Sequence, residues 1–252
     1  MESLFDIKGK KAIVTGGSRG LGKGMAQGLH EAGVELVLMG TNENVLRTAA
    51  EIHTPEVPAH AVMADFRDRQ DVAKAFGRAM ELLGDLDILV NNAGMQMRHP
   101  AEEFPLEDWD TVLTVNLTSA FIMSQLAGRV MLKKGCGKII NIASLLSFQG
   151  GITVPAYAAS KGGIAQLTKA LANEWAGRGI NVNAVAPGDM ATDNTAALRA
   201  DEVRNRQILE RIPAGRYGTA EDMIGTVIYL SSRASDYVNG SVLVVDGGWM
   251  GR

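Results

Sequence analysis

The 252-residue chain carries a single cysteine, Cys136, so no internal disulfide can close. Set between Gly135 and Gly137, Cys136 reads as a small turn residue rather than a catalytic thiol. The four histidines, His30, His53, His60 and His99, do not fall at metal-ligand spacing, and there is no cysteine cluster to join them. They read as surface or loop residues, and no metal site is expected. No apolar run reaches the roughly 18 residues that a membrane span requires. The start, Met1-Glu2-Ser3-Leu4-Phe5-Asp6, lacks a basic stretch followed by an apolar one, so a secretory signal is not expected and a cytoplasmic protein is. A formal net charge of -3, with no basic block or acidic tail, argues against nucleic acid as a partner.

What is present is a chain 46% hydrophobic and 21% charged, long enough for one sizeable core. Short apolar runs alternate with longer amphipathic ones. Strands are predicted at Lys11–Thr15, Glu35–Met39, His60–Met63, Leu86–Val90, Lys138–Ile142, Ile180–Val185 and Val242–Val245. Helices are predicted over about 20–32, 44–52, 68–83, 106–133, 155–177, 201–211 and 221–231, with Asp68 as an N-cap and Pro155 starting the fifth. This alternation implies βαβ units and a parallel sheet covered on both faces. With no repeat or linker, residues 1–252 read as one domain. The polar stretch Asp189 to Ile212, after the Pro187-Gly188 turn, suits a lid.

Tyr157 and Lys161 stand four residues apart in Tyr157-Ala158-Ala159-Ser160-Lys161 and share one face of a helix. An ammonium beside a phenol favours phenolate, lowers the tyrosine pKa and makes it usable for proton transfer. Alone, the pair is weak evidence and reads more readily as two polar residues on a solvated face. Thr15-Gly16-Gly17-Ser18-Arg19-Gly20-Leu21-Gly22 follows the first strand and opens the first helix, the setting in which glycines let a pyrophosphate approach a helix N-terminus. Ligands of open α/β sheets bind at the carboxyl ends of the strands. At those ends lie Asp65, Asn91-Asn92-Ala93-Gly94, Ser144 and Pro187-Gly188.

Together, the glycine loop, the Asn-Asn-Ala-Gly segment, Ser144, the Tyr157–Lys161 motif and Pro187-Gly188 resemble the classical short-chain dehydrogenase/reductase family over essentially the whole chain. The resemblance implies a Rossmann-type, doubly wound α/β sheet of seven parallel strands in order 3-2-1-4-5-6-7, and a homotetramer. It implies Tyr157 as general acid/base, Lys161 as its pKa-lowering and ribose-binding partner, Ser144 as hydrogen-bond partner of the substrate oxygen, and Asn116 as the helix-kinking asparagine that holds a relay water. Gly16, Ser18, Arg19, Gly20, Leu21 and Gly22 would cradle the dinucleotide, joined by Tyr157 and Lys161. Asp65 with Phe66, and Asn92, Ala93 and Gly94, would line its adenine and ribose. Pro187, Gly188, Met190 and Thr192 would sit against the nicotinamide.

The residues after the second strand, Met39-Gly40-Thr41-Asn42, include neither an acid for a ribose hydroxyl nor a base for a 2′-phosphate. Arg19 and Thr41 could hold such a phosphate. The expected cofactor is therefore NAD(P)(H), leaning to NADP(H), with NAD(H) open. Ile139–Ser144, Leu146–Gly151, Asn173–Ala176, Ala186–Thr192 with Asn194-Thr195, Ile212–Arg216, Ala234–Gly240 and Val245–Trp249 resemble the 2-dehydro-3-deoxy-D-gluconate 5-dehydrogenase subgroup, which acts on sugar acids. The glycine loop and the segment after the second strand depart from that subgroup and from its usual NAD preference. A sugar acid needs a cation for its carboxylate and polar partners for its hydroxyls. Arg98 and Gln149 are the leading candidates beside Ser144 and Tyr157, and Arg211 or Arg216 could arrive with the lid. Met95, Met97 and Trp249 read as packing residues. Rival readings are a gluconate 5-dehydrogenase, a 3-oxoacyl-carrier-protein reductase and, outside enzymes, a dinucleotide-binding sensor.

Overall fold

The computed structural model describes residues 3–192 and 195–252; Asp193 and Asn194, within the predicted lid, and the starting Met1 and Glu2 lie outside the described residues. Seven strands, β1 (Lys11–Thr15), β2 (Glu35–Gly40), β3 (Ala59–Met63), β4 (Ile88–Asn91), β5 (Gly137–Ile142), β6 (Ile180–Pro187) and β7 (Val242–Val245), form one sheet in the order β3-β2-β1-β4-β5-β6-β7. Every pairing is parallel. The central strands are apolar on both faces because both are covered: Ala12, Ile13, Val14, Leu89 and Val90 are all fully buried.

The helices are α1 (Gly20–Glu31), α2 (Asn44–Ile52), α3 (Arg69–Leu83), α4 (Leu106–Leu113), α5 (Ser119–Lys134), α6 (Pro155–Trp175), α7 (Ala196–Ala200), α8 (Glu202–Arg211) and α9 (Glu221–Ser231). Val72 and Phe76 of α3, Met123 and Met131 of α5 and Leu171 and Trp175 of α6 pack on one face of the sheet. Met25 and Leu29 of α1, Val45 of α2 and Met223 and Val227 of α9 pack on the other. Asp68 caps α3 as predicted, accepting from the backbone N–H of Gln70 (2.7 Å) and Asp71 (3.3 Å). Asp201, predicted as the first residue of its helix, instead caps α8.

The stretch predicted as one helix from Leu106 to Lys133 contains a π-helical turn at Thr114–Thr118, between α4 and α5. One added residue in a turn preserves overall helicity, so apolar spacing does not betray it. Such turns concentrate at functional sites, and Asn116 lies at the centre of this one. Among the described residues no helix is long and apolar enough to cross a membrane.

Candidate active site

The strand order reverses direction between β1 and β4, which lie side by side. The loops leaving their carboxyl ends therefore meet. Thr15 Oγ1 accepts the backbone N–H groups of Asn92 (2.9 Å) and Ala93 (3.0 Å). The Asn92 side-chain amide donates to the carbonyls of Thr15 (3.0 Å) and Gly16 (3.1 Å). Gly16 has φ +66°, which favours glycine, and a Cβ there would lie 2.8 Å from Asn92 Nδ2. A Cβ on Gly22 would lie 2.1 Å from the Gly16 carbonyl oxygen. The result is a backbone cradle at the N-terminus of α1 that any side chain at these two positions would fill, and it fits a pyrophosphate. Arg19 stands just before α1 with extended backbone and an exposed side chain, and Thr41 is exposed just past β2. Ser18 is fixed by its carbonyl, which accepts from Thr48 Oγ1 (3.2 Å). Leu21 packs on the α1 side of the sheet.

Beyond β3, Asp65 is half-buried, and Arg67 grips its carboxylate through Nε (2.9 Å) and Nη2 (2.8 Å). That guanidinium, with the Arg67 backbone N–H, holds the Asp65 pKa below its ordinary value. The Phe66 side chain is 3% exposed and belongs to the core, so the cofactor contact expected of Phe66 falls to its backbone. On the other flank, Gly188 N–H donates to the Val245 carbonyl (2.9 Å), and Met190 is buried. The Thr192 methyl lies 3.7 Å from where a Cβ on Gly20 would stand, so the segment leaving β6 closes over the glycine loop.

Asn116 is 1% exposed, and its amide is fully committed. Its Oδ1 accepts the Met95 N–H (2.8 Å), and its Nδ2 donates to the Met95 carbonyl (2.9 Å) and to Ser160 Oγ (3.0 Å). Ser160 in turn donates to the Tyr157 carbonyl (2.7 Å). The π turn is thereby tied both to the segment after β4 and to the turn of α6 that carries Tyr157. Ser144 leaves β5 and its hydroxyl accepts the Leu146 N–H (3.2 Å). It stands near enough to the Tyr157 phenol to lower that group's pKa. Lys161 is 4% exposed; its Nζ donates to the Ile142 carbonyl (2.6 Å) and lies 5.6 Å from the Tyr157 ring centroid.

Burial acts on both members of this pair, against the attraction between them. Burial pushes the Tyr157 phenol above its ordinary value, and the nearby Ser144 hydroxyl offsets only part of that. Burial also lowers Lys161 from 10.5 to about 8. Desolvation thus outweighs the attraction that the i, i+4 spacing suggested. Between these two values the unfolded chain binds the proton that the folded chain has released, so stability contributed at this site rises with pH. Below pH 8 the buried cation carries its full penalty, about 3 kcal/mol at ~1.4 kcal/mol per pKa unit. The stability advantage of Lys161→Met over wild type is accordingly expected to be largest at pH 7.5 and to shrink by about that amount by pH 10.5. Denaturant unfolding at the two pH values measures it.

Beneath the site lies a buried polar chain that sequence reasoning missed. Asn91 Nδ2 donates to Asn141 Oδ1 (2.9 Å) and Ser124 Oγ (2.9 Å), and Asn141 Nδ2 donates to Thr168 Oγ1 (2.9 Å). Asparagine inside apolar strands was the available signal. Among the substrate candidates, Arg98 is exposed and Gln149 half-buried. Arg216 is held by Asp222 through two contacts (2.7 and 2.8 Å), which keeps the Asp222 pKa well below the carboxylate range. The Arg211 guanidinium lies 4.0 Å over the Trp249 ring. Met95 packs on the core, as expected of it. A hollow of about 160 Å³ lies past β6, lined in part by Gly188, Asp189 and Met190. Another, of about 470 Å³, lies at the opposite, amino ends of β5 and β6 and includes none of the predicted site residues. Among the described residues no group of three or more His, Cys, Asp or Glu side chains could hold a metal.

The family model described as short chain dehydrogenase matches residues 10–203. The 2-dehydro-3-deoxy-D-gluconate 5-dehydrogenase of Bacillus subtilis (strain 168) is 51% identical over 252 residues, covering 100% of this chain and 99% of that protein. A Beutenbergia cavernae structure with bound NADP at low occupancy, provisionally assigned as an NAD(P)-dependent gluconate 5-dehydrogenase, superposes with a TM-score of 0.95 at 48% identity, covering 99% of this chain and 100% of that one. An Agrobacterium tumefaciens structure with bound NADP, provisionally assigned as a 2-deoxy-D-gluconate 3-dehydrogenase, gives a TM-score of 0.91 at 49% identity, covering 100% of both chains.

Proposed function

The chain belongs to the short-chain dehydrogenase family, and we propose that it is an NAD(P)-dependent oxidoreductase of sugar acids, acting on a secondary alcohol or ketone as a 2-dehydro-3-deoxy-D-gluconate 5-dehydrogenase does. The observation that carries this reading is the gathering of Ser144, Tyr157, Lys161 and Asn116 in one site, together with a tightly closed glycine loop at the N-terminus of α1. Full-length identity of 51% to a protein of that name supports the substrate class.

Gly16, Ser18, Arg19, Gly20, Leu21 and Gly22 would hold the pyrophosphate end of the cofactor. Thr41 and Arg19 suit a 2′-phosphate, which with two NADP-bound neighbours favours NADP(H). Asp65, Asn92, Ala93 and Gly94 would flank the adenosine, and Pro187, Gly188, Met190 and Thr192 the nicotinamide. When bound, the nicotinamide supplies or accepts hydride. Tyr157 gives its phenolic proton to the substrate oxygen in reduction and takes it back in oxidation. Ser144 donates a hydrogen bond to the same oxygen, where negative charge develops. Lys161, a buried cation at neutral pH, stabilises the phenolate left behind. Asn116 holds the turn carrying Tyr157 and the segment carrying Arg98.

Arg98 is the cation proposed for the substrate carboxylate, with Gln149 for a hydroxyl. Residues 189–212 are proposed as the lid over this site, and the chain as a homotetramer. Leu106 (79% exposed), Phe121 (41%) and Val244 on the edge strand (41%) leave apolar surface for such an assembly.

The test is turnover with NAD(H) and NADP(H) separately, against 2-dehydro-3-deoxy-D-gluconate, D-gluconate and a short β-keto ester. Turnover of the sugar acids is expected, and Arg98→Ala is expected to raise their KM by at least about 10-fold, the loss of one charge-assisted pair. Activity on the ester alone would favour the carrier-protein reductase. Cofactor binding without turnover of any of them would favour the sensor.

A further inference from the structure

The segment Met95–His99 leaves the site after β4 without regular secondary structure, yet it is fixed at both ends. Asn116 holds both backbone groups of Met95 and, through Ser160, joins it to the turn of Tyr157. At the other end, the His99 N–H donates to the Thr153 carbonyl (3.1 Å), two residues before α6 begins. The His99 imidazole meets Asp108 of α4 (Nε2 to Oδ2, 2.7 Å) and stands edge-on to Phe104, with ring centroids 5.1 Å apart. Arg98, one residue before this second anchor, projects an exposed side chain.

Thr153 adds an independent sign. It is the one non-glycine residue with a left-handed backbone among those described, at φ 64°. A β-branched side chain in that region is strained, and such strain gathers at functional sites. The His99–Asp108 hydrogen bond is partly exposed (side chains 37% and 28%), where such a contact adds little to overall stability. A strained residue and a side-chain hydrogen bond converge on one short segment, which is tied through Thr153 and Ser160 to the helix that carries Tyr157.

We propose that His99, held by Asp108 and by the Thr153 carbonyl, is a positioning residue that fixes Arg98 for the carboxylate of the substrate. This rests on the sugar-acid reading above. The clamp fixes the backbone from which the Arg98 side chain springs, so its loss weakens recognition of the acid rather than proton transfer at Tyr157 or binding of the cofactor.

The experiment compares wild type, His99→Leu, His99→Gln, Asp108→Leu and the double variant His99→Leu/Asp108→Leu. Each is assayed with NADP⁺ on 2-dehydro-3-deoxy-D-gluconate, D-gluconate and the uncharged primary amides of both. His99→Leu is expected to raise KM for the acids about 10-fold, with kcat within about 3-fold and little change for the amides. His99→Gln, which can still donate to Asp108, is expected to recover most of the preference. The double variant is expected to be no worse than either single one, as for two partners of one clamp. Equal losses on acid and amide, a fall in kcat at constant KM, or additive losses would overturn the proposal. If wild type turns over no sugar acid, the functional reading fails and the carboxylate assignment falls with it. The clamp is then judged by hydrogen exchange: His99→Leu should speed exchange across residues 95–99 about 10-fold while β1 is unchanged, and unaltered protection would refute it.

Discussion

Tyr157→Phe is expected to lower kcat/KM by about 10²–10⁴-fold, the range of a positioned general acid, while NADPH binding stays within a few-fold of wild type. Phenylalanine keeps the ring that packs beneath the Lys161 ammonium and removes only the hydroxyl. That hydroxyl is the group whose pKa burial raises, so at neutral pH it stands protonated and ready to donate. Fluorescence titration with NADPH separates the two effects, because loss of turnover with binding retained is the signature of missing proton transfer. Turnover kept within 10-fold would remove Tyr157 from the mechanism. Ser144→Ala is expected to cost less, since it removes one donor to the developing charge and leaves the proton in place.

The second large effect is at Gly22. An alanine Cβ there would lie 2.1 Å from the Gly16 carbonyl oxygen and 2.4 Å from Asn92 Nδ2. Both are far inside contact distance, and neither atom can retreat freely. Asn92 Nδ2 is bound to the Thr15 and Gly16 carbonyls, and Gly16 already has a left-handed backbone. Gly22→Ala must therefore part the β1 loop from the β4 loop and distort the cradle. The expected result is a Kd for NADPH raised about 100-fold or more, near 2.7 kcal/mol. Overpacking should also cost about 1–3 kcal/mol of stability. Circular dichroism and thermal melting establish that the fold persists, and isothermal titration reads the affinity. Unchanged affinity in a folded variant would contradict the placement of the dinucleotide.

The fold was legible in the sequence because a parallel sheet covered on both faces needs continuous apolar strands. Val14, Leu38, Leu89 and Val182 announce theirs without ambiguity. Of the proposed catalytic residues, Ser144 was legible as a polar group at a strand's carboxyl end, while Tyr157, Lys161 and Asn116 were legible through the i, i+4 motif and its family resemblance. Other features depend on contacts that no local pattern encodes. The π turn around Asn116 leaves the helical spacing on either side intact. Phe66 follows Asp65 at a strand end, but its side chain turns into the core. The Tyr157–Lys161 spacing was read correctly as a shared face, while the burial that sets both pKa values comes from the surrounding fold. His99 lies in an irregular segment with no periodicity, and its partners Asp108 and Thr153 are 9 and 54 residues away in sequence, so nothing nearby marked it as more than a surface histidine.

The central claim is hydride exchange between a nicotinamide and one carbon of a sugar acid, with the proton handled by Tyr157. Its most direct test is isotope transfer. NADPH deuterated at nicotinamide C4 on the transferred face is incubated with the enzyme and the keto acid formed by oxidising 2-dehydro-3-deoxy-D-gluconate, and the product is analysed by mass spectrometry. The account predicts one deuterium on the newly formed carbinol carbon, and none with Tyr157→Phe over the same period. A reduced sugar acid without that deuterium, or no reduced sugar acid while a parallel incubation with a β-keto ester yields the deuterated β-hydroxy ester, would contradict it.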